Sequence, residues 1–150
     1  MIIYSENPRA SFDYEILDRY EAGIKLTGPE VKSIKTNGMS LKSAYVRIMN
    51  NGDVCLINAH IPKYKPAFSA QINYDPEQTR KLLLHKKEIN KLLPKVKEKG
   101  LTIIPLKVYQ KGKFIKVEIG LAKGKKLYDK RESIKKKDIE RDMKREIRNK

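Results

Sequence analysis

Two stretches of this chain read as β-hairpins, and they constrain everything around them. Residues 43–49 (SAYVRIM) and 53–59 (DVCLINA) are short apolar runs rich in β-branched residues, joined by Asn50-Asn51-Gly52-Asp53, residue types that tolerate the positive φ of a tight turn. Residues 101–110 (LTIIPLKVYQ) and 113–122 (KFIKVEIGLA) repeat the arrangement around Lys111-Gly112, with Phe114, Lys116 and Glu118 on one face and Ile115, Val117, Ile119 and Leu121 on the other. Each hairpin leaves one apolar face uncovered, so further elements must close over both.

Those elements are visible nearby. Phe12, Tyr14, Ile16 and Tyr20 alternate with Asp13, Glu15 and Arg19, which predicts a strand from Phe12, and a second strand follows over residues 23–26. Thr27-Gly28-Pro29-Glu30 turns into a short helix, because Pro is tolerated at a helix start and Val31 and Ile34 share a side; Asn37-Gly38 ends it. Residues 60–74 hold two prolines and little periodicity, and read as a loop packed on the barrel or partly mobile. Asp75-Pro76-Glu77-Gln78 looks like an N-cap opening a helical region that runs through RKLLLHKKEINKLLPKVKEKG (80–100), with a break near His85, a distortion at Pro94 and a stop at Gly100. Five to seven antiparallel strands with about three short helices predict a mainly β protein. The expected architecture is a small closed or nearly closed antiparallel barrel, of which the oligonucleotide-binding (OB) type is one kind, over residues 1–122, followed by a basic tail over 123–150.

Charge narrows the partner. The 34 Lys+Arg against 18 Asp+Glu leave +16, more than solubility requires, so a polyanion is expected. No apolar run approaches the ~20 residues of a spanning helix, and MIIYSENPR lacks the character of a signal peptide; we expect a cytoplasmic protein with no membrane partner. Cys55 stands alone with His60 and His85, which predicts neither disulfide, structural metal nor cofactor. We find no metal-binding His/Glu spacing, no Gly-rich phosphate loop and no acid pair beside a His, so an enzyme such as a basic nuclease is disfavoured.

The last thirty residues concentrate the charge. Residues 121–150 carry 13 Lys+Arg and 6 Asp+Glu, net +7, while the other 120 carry 21 and 12, net +9, about a threefold difference in density. From Asp129 onward only Ile134, Ile139, Met143 and Ile147 are apolar, too little to offset the entropy of ordering, so the free tail is expected to be disordered. It is nevertheless poised for a helix: Asp129 and Glu132 have capping-box spacing, and Glu132/Lys136, Glu140/Lys144 and Glu146/Lys150 are acid-first pairs contributing ~0.2–0.5 kcal/mol each. Helix formation should therefore wait for a polyanion or a groove. The plainer alternative is a solvated appendage that adds non-specific affinity.

YEAGIKLTGPEVKSIK (Tyr20 to Lys35), RKLLLHKKEI (Arg80 to Ile89), KEKGLT (Lys97 to Thr102) and AKGKKLYDKR (Ala122 to Arg131), in that order, closely resemble the SsrA-binding protein, or small protein B, family of bacteria. The resemblance implies a non-enzymatic partner of transfer-messenger RNA in trans-translation, the rescue of stalled ribosomes. It implies that a barrel grips the tRNA-like domain of that RNA and enters the vacant A site with elongation factor Tu, as a monomer. The tail would lie in the empty message channel, turning helical there.

Carried onto this sequence, the resemblance implies RNA contacts from Glu21, from Glu30, Lys32, Ser33 and Lys35, from Arg80, Lys81 and His85, from Lys116, and from a basic hinge of Lys123, Lys125 and Lys126 around Gly124. A carboxylate at 21 can accept from a ribose 2′-hydroxyl or a base amino group, and the cations suit phosphates. Tyr128 can stack on a ribosomal base, and Asp129, Lys130, Arg131, Ile134, Lys135, Lys136, Lys137, Ile139, Met143 and Ile147 complete the ribosome-contacting tail near the small-subunit decoding centre. Two positions depart from the pattern: Lys35 stands where relatives usually have Arg, and Pro8 in Asn7-Pro8-Arg9-Ala10 replaces a basic residue. The alternative is a general barrel-type RNA-binding or ribosome-associated protein.

Overall fold

The computed structural model describes residues 2–65, 73–98 and 100–124. Along the chain it has β1 (Ile2–Glu6), α1 (Ala10–Asp13), β2 (Tyr14–Ile24), α2 (Gly28–Asn37), β3 (Tyr45–Ile48), β4 (Val54–Ile57), β5 (Arg80–Leu83), α3 (Lys86–Val96), β6 (Leu101–Lys111) and β7 (Phe114–Gly124). All pairings are antiparallel. The order β6-β3-β4-β5-β2-β7 returns to β6 and closes a barrel, and β1 lies on the β6 edge that β3 also touches. Closure leaves the barrel strands no free edge, which is how small β proteins avoid edge-to-edge association.

Both expected hairpins are present. Tyr45 pairs with Ile57 and Ile48 with Val54. Lys111 pairs with Phe114, so the second turn is Gly112-Lys113, one residue later than expected, with Gly112 at φ 60° supplying the left-handed conformation. The inward faces behave as the alternation predicts: Ile115, Val117, Ile119 and Leu121 are buried and Phe114 is exposed. They join Ile34, Leu41, Val54, Leu56, Leu82 and Leu92 in one core. Pro105 sits in the middle of β6 and has no N–H for the ladder; the register with β7 shifts between Pro105 and Lys107, and Asn7 takes the spare carbonyl, its Nδ2 donating to Pro105 O at 2.9 Å.

α2 is built as the sequence suggests. The Thr27 hydroxyl accepts from the Glu30 N–H while the Glu30 carboxylate accepts from the Thr27 N–H, a reciprocal cap. Ile34 is fully buried and Val31 packs against the core. Gly38, at φ 72°, stops the helix, and a Cβ there would meet Tyr4 O at 2.9 Å.

Three expectations need correction. The strand expected from Phe12 starts at Tyr14, because Asn7 Oδ1 accepts from the Arg9 N–H and the Arg9 carbonyl accepts from both Phe12 and Asp13 N–H, winding residues 10–13 into one helical turn. What looked like two strands is then a single strand to Ile24, with a register shift between Ile16 and Asp18 that turns Leu17 outward.

The helix expected from Asp75 through His85 is absent. Asp75 makes a turn instead, its carboxylate accepting from Glu77 N–H, and Arg80–Leu83 is a strand. β5 pairs with β4 through Val54↔Leu82 and Leu56↔Arg80, and with β2 through Gly23↔Leu83. Backbone groups facing two strands at once are satisfied by ladder bonds, which outweighs the helix propensity of a leucine run. The break expected near His85 is real: its backbone is extended and α3 begins at Lys86, ending two residues beyond Pro94.

Finally, Lys123 and Gly124 are not a free hinge. They are the last residues of β7, where Glu15 pairs with Lys123 and Tyr14 with Gly124, and the Gly124 N–H donates to Gly100 O.

Candidate nucleic-acid interface

The outer face of β2, β7 and β6 gathers charged and aromatic side chains in rows set by the register. One row is Glu21, Glu118 and Lys107; the next is Leu83, Gly23, Lys116, Tyr109 and Ile3. Two carboxylates directly opposite each other repel, and the structure separates their partners. Glu118 pairs with Arg19 at 2.8 Å and Lys107 at 3.6 Å, whereas Glu21 accepts from the Tyr109 hydroxyl and from Lys111 Nζ at 3.1 Å.

The Tyr109 hydrogen bond, then that from Lys111, holds the Glu21 carboxyl below the usual carboxylate range against a smaller opposing effect of burial. Burial first, and Glu21 second, push the Tyr109 phenol upward. At neutral pH the pair is a carboxylate fixed by a phenol donor.

Lys116 makes no ion pair among the described residues, and its Nζ lies 5.7 Å from the Phe114 ring centroid. Gly23 lies beside it and lets β5 approach: a Cβ there would stand 3.2 Å from the Leu83 Cβ, a tight contact, and an ordinary 3.7 Å from Lys116 Nζ. Leu83 leads through Leu84 to exposed His85, whose N–H donates to the Glu88 carboxylate. The fold thus brings Glu21, Lys116 and His85 to one region of the barrel, a juxtaposition spread over 96 positions of sequence that no local pattern shows.

A second group centres on α2. Glu30, Ser33 and Arg80 were expected on the RNA-facing surface, and the structure corrects this, since all three are buried. Arg80 Nε donates to Glu30 Oε2 at 2.6 Å, its Nη1 to Ala59 O at 2.8 Å, and its Nη2 to Tyr74 Oη at 3.1 Å and Pro76 O at 2.9 Å. Gln78 Nε2 also donates to Glu30 at 3.3 Å, and the Ser33 hydroxyl donates to Pro62 O. Burial alone would push the Glu30 carboxyl up; the Thr27 N–H and Arg80 together outweigh it and hold it below the usual range. Burial pushes the Tyr74 phenol up to about 12.

A buried ion pair needs every remaining donor and acceptor satisfied, and among the described residues no buried side-chain polar atom lacks a partner. The reason for the inward turn is long-range: Glu30 and Arg80, 50 positions apart, neutralise each other, and among the described residues neither makes another ion pair. Lys32 and Lys35 remain exposed on α2, Lys32 Nζ standing 6.0 Å from the Tyr64 ring centroid, and exposed Lys81 pairs with Asp53 at 3.5 Å.

Lys123 lies seven residues along β7 from Lys116, roughly 23 Å at strand spacing, so it belongs to the opposite end of the barrel. Lys125, Lys126, Tyr128, Asp129, Lys130, Arg131, Ile134, Lys135, Lys136, Lys137, Ile139, Met143 and Ile147 lie outside the described residues. Sequence reasoning missed Lys107, Tyr109 and Lys111. Their outward alternation in LKVYQK was a usable signal, but their pairing to β2 was not.

A closed antiparallel barrel with a cationic, hydrogen-bonding outer face is a small β-barrel of the oligonucleotide-binding type. No helix among the described residues is long and apolar enough to cross a membrane. The comparison with known proteins is specific: the model of the SmpB protein family matches residues 4–149, and the chain belongs to that family. It is 53% identical to an SsrA-binding protein of Gloeothece citriformis (97% of this chain, 93% of the relative), and 54% identical to one of Thermosipho melanesiensis (94% and 95%). It is 52% identical to one of a Sulfurihydrogenibium species (99% and 95%). Among solved structures it resembles a chain from "tmRNA-SmpB: a journey to the center of the bacterial ribosome", with a TM-score of 0.68 and 44% identity over 87% of this chain and 93% of that one.

Proposed function

We propose that this chain binds the tRNA-like domain of transfer-messenger RNA and delivers it to the A site of stalled ribosomes. The observation that carries the reading is the match, over nearly the whole chain, to proteins named for binding SsrA RNA and to a solved chain described as tmRNA-SmpB in the bacterial ribosome. The barrel face supports it chemically. Lys116 and His85 suit phosphates, and Glu21 suits a 2′-hydroxyl or amino donor that phosphate-only binding would leave unread. Glu30, Ser33 and Arg80 serve indirectly, holding α2 so that Lys32 and Lys35 stay outward.

In this reading the protein acts by shape and charge, with no chemical step, as a cytoplasmic monomer alongside elongation factor Tu. The barrel replaces a missing anticodon arm, and the tail, with net charge +7 over residues 121–150, enters the message channel as a helix. Competition binding tests the first part: the tRNA-like domain of transfer-messenger RNA should outcompete an excess of ordinary tRNA, and equal competition would favour a general RNA-binding protein. Truncation after Lys126 tests the second. RNA binding should persist while peptide tagging on stalled ribosomes is lost, and equal loss of both would overturn the division of labour.

A further inference from the structure

The strand face holds two carboxylates: Glu118 is taken up by Arg19 and Lys107, while Glu21 is fixed by a neutral phenol beside a single lysine. Glu21 Oε2 accepts from the Tyr109 hydroxyl and Oε1 from Lys111 Nζ at 3.1 Å. Tyr109 is only 5% exposed and lies in the β6 ladder between β1 and β7, with Lys107 Nζ 5.7 Å from its ring centroid, so the phenol cannot swing away. The Glu21 side chain keeps 37% of its exposure. A carboxylate offers about four lone-pair sites; two are used, and the others open toward solvent at a shallow depression lined by Lys107, Gln110, Lys111, Gly112 and Glu118.

We propose that Tyr109 is a positioning residue for specificity, holding Glu21 as an outward-facing acceptor that selects a neutral nucleic-acid donor, a ribose 2′-hydroxyl or a base amino group, over a phosphate. The proposal rests on the RNA-binding reading above and names the chemistry of its site. Without the phenol, Glu21 is held by Lys111 alone and is free to rotate, losing the fixed outward acceptor. The phenol stays a donor throughout the working pH range, because burial and the adjacent carboxylate both raise it.

The test is a cycle in the full-length protein, with Tyr109→Phe, Glu21→Gln and the double variant titrated against the tRNA-like domain of transfer-messenger RNA. A hydrogen bond to a charged group predicts about a tenfold weakening for Tyr109→Phe, with an unchanged slope of affinity against salt, since no phosphate contact is removed. In the Glu21→Gln background Tyr109→Phe should add nothing; a further tenfold loss there would mean that tyrosine touches RNA itself and would overturn the proposal. A ligand with 2′-deoxy substitutions and one with inosine for guanosine distinguish the two donor sources, and tolerance of both at wild-type affinity also overturns it. The carboxyl titration of Glu21, followed by NMR in the free protein, reads the coupling without RNA: Tyr109→Phe should move it upward, and an unmoved titration refutes the positioning role even if the RNA proves to be a different one.

Discussion

Replacing Arg80 by Met separates a structural latch from an RNA ligand. The guanidinium ties α2 through Glu30, the segment after β4 through Ala59 O, and the turn before β5 through Tyr74 and Pro76 O, and it is 3% exposed. Met matches its length but strands the Glu30 carboxylate without its counter-charge, and breaking one side of a buried pair costs about 3–5 kcal/mol. For a domain of this size each kcal/mol moves Tm by ~2–4 °C, so the expected drop is roughly 6–20 °C. Urea denaturation should show a lower midpoint with an unchanged slope. Adding Glu30→Gln removes the stranded charge while keeping an acceptor for the Thr27 N–H, so the double variant should lose much less than the two single losses together. RNA binding, assayed well below the midpoint, should change little. An Arg80→Met protein that melts like the parent and fails to bind RNA would refute the latch and restore Arg80 to the surface.

Lys116→Ala should weaken RNA binding uniformly and reduce the salt slope by about one, read by affinity titrations at several salt concentrations; an unchanged slope would remove Lys116 from the phosphate contacts. Because the Glu30 carboxyl is held below its ordinary value of 4.5, its contribution to stability is full above that value and lost as pH falls through the lower folded-state value. Acid titration of Tm should therefore show a downward step below about pH 4.5 that is smaller in Glu30→Gln, and identical profiles would discount the pair. Gly38→Ala places a Cβ at φ 72° and 2.9 Å from Tyr4 O, and should destabilise by more than about 1 kcal/mol in denaturant melts, with no change in RNA affinity once folded.

The sequence by itself determined whatever rests on neighbours in the chain. The β-branched runs around Asn50-Asn51-Gly52-Asp53 specified the first hairpin, the alternation through KFIKVEIGLA specified which face the second buries, Thr27-Gly28-Pro29-Glu30 specified the start of α2, and the lysine excess specified the sign of the partner. Four ordered motifs then carried the family. The tertiary structure decided where a segment's hydrogen bonds and charges find partners far away. RKLL became a strand because β4 and β2 present ladders on both sides of it. Glu30 and Arg80 turned inward because each neutralises the other 50 positions away, and Glu21 became a fixed acceptor because β6 brings Tyr109 beside it. Local propensities are worth tenths of a kcal/mol per residue, whereas an unpaired buried charge or backbone group costs several times that, so where the two conflicted the long-range partner prevailed.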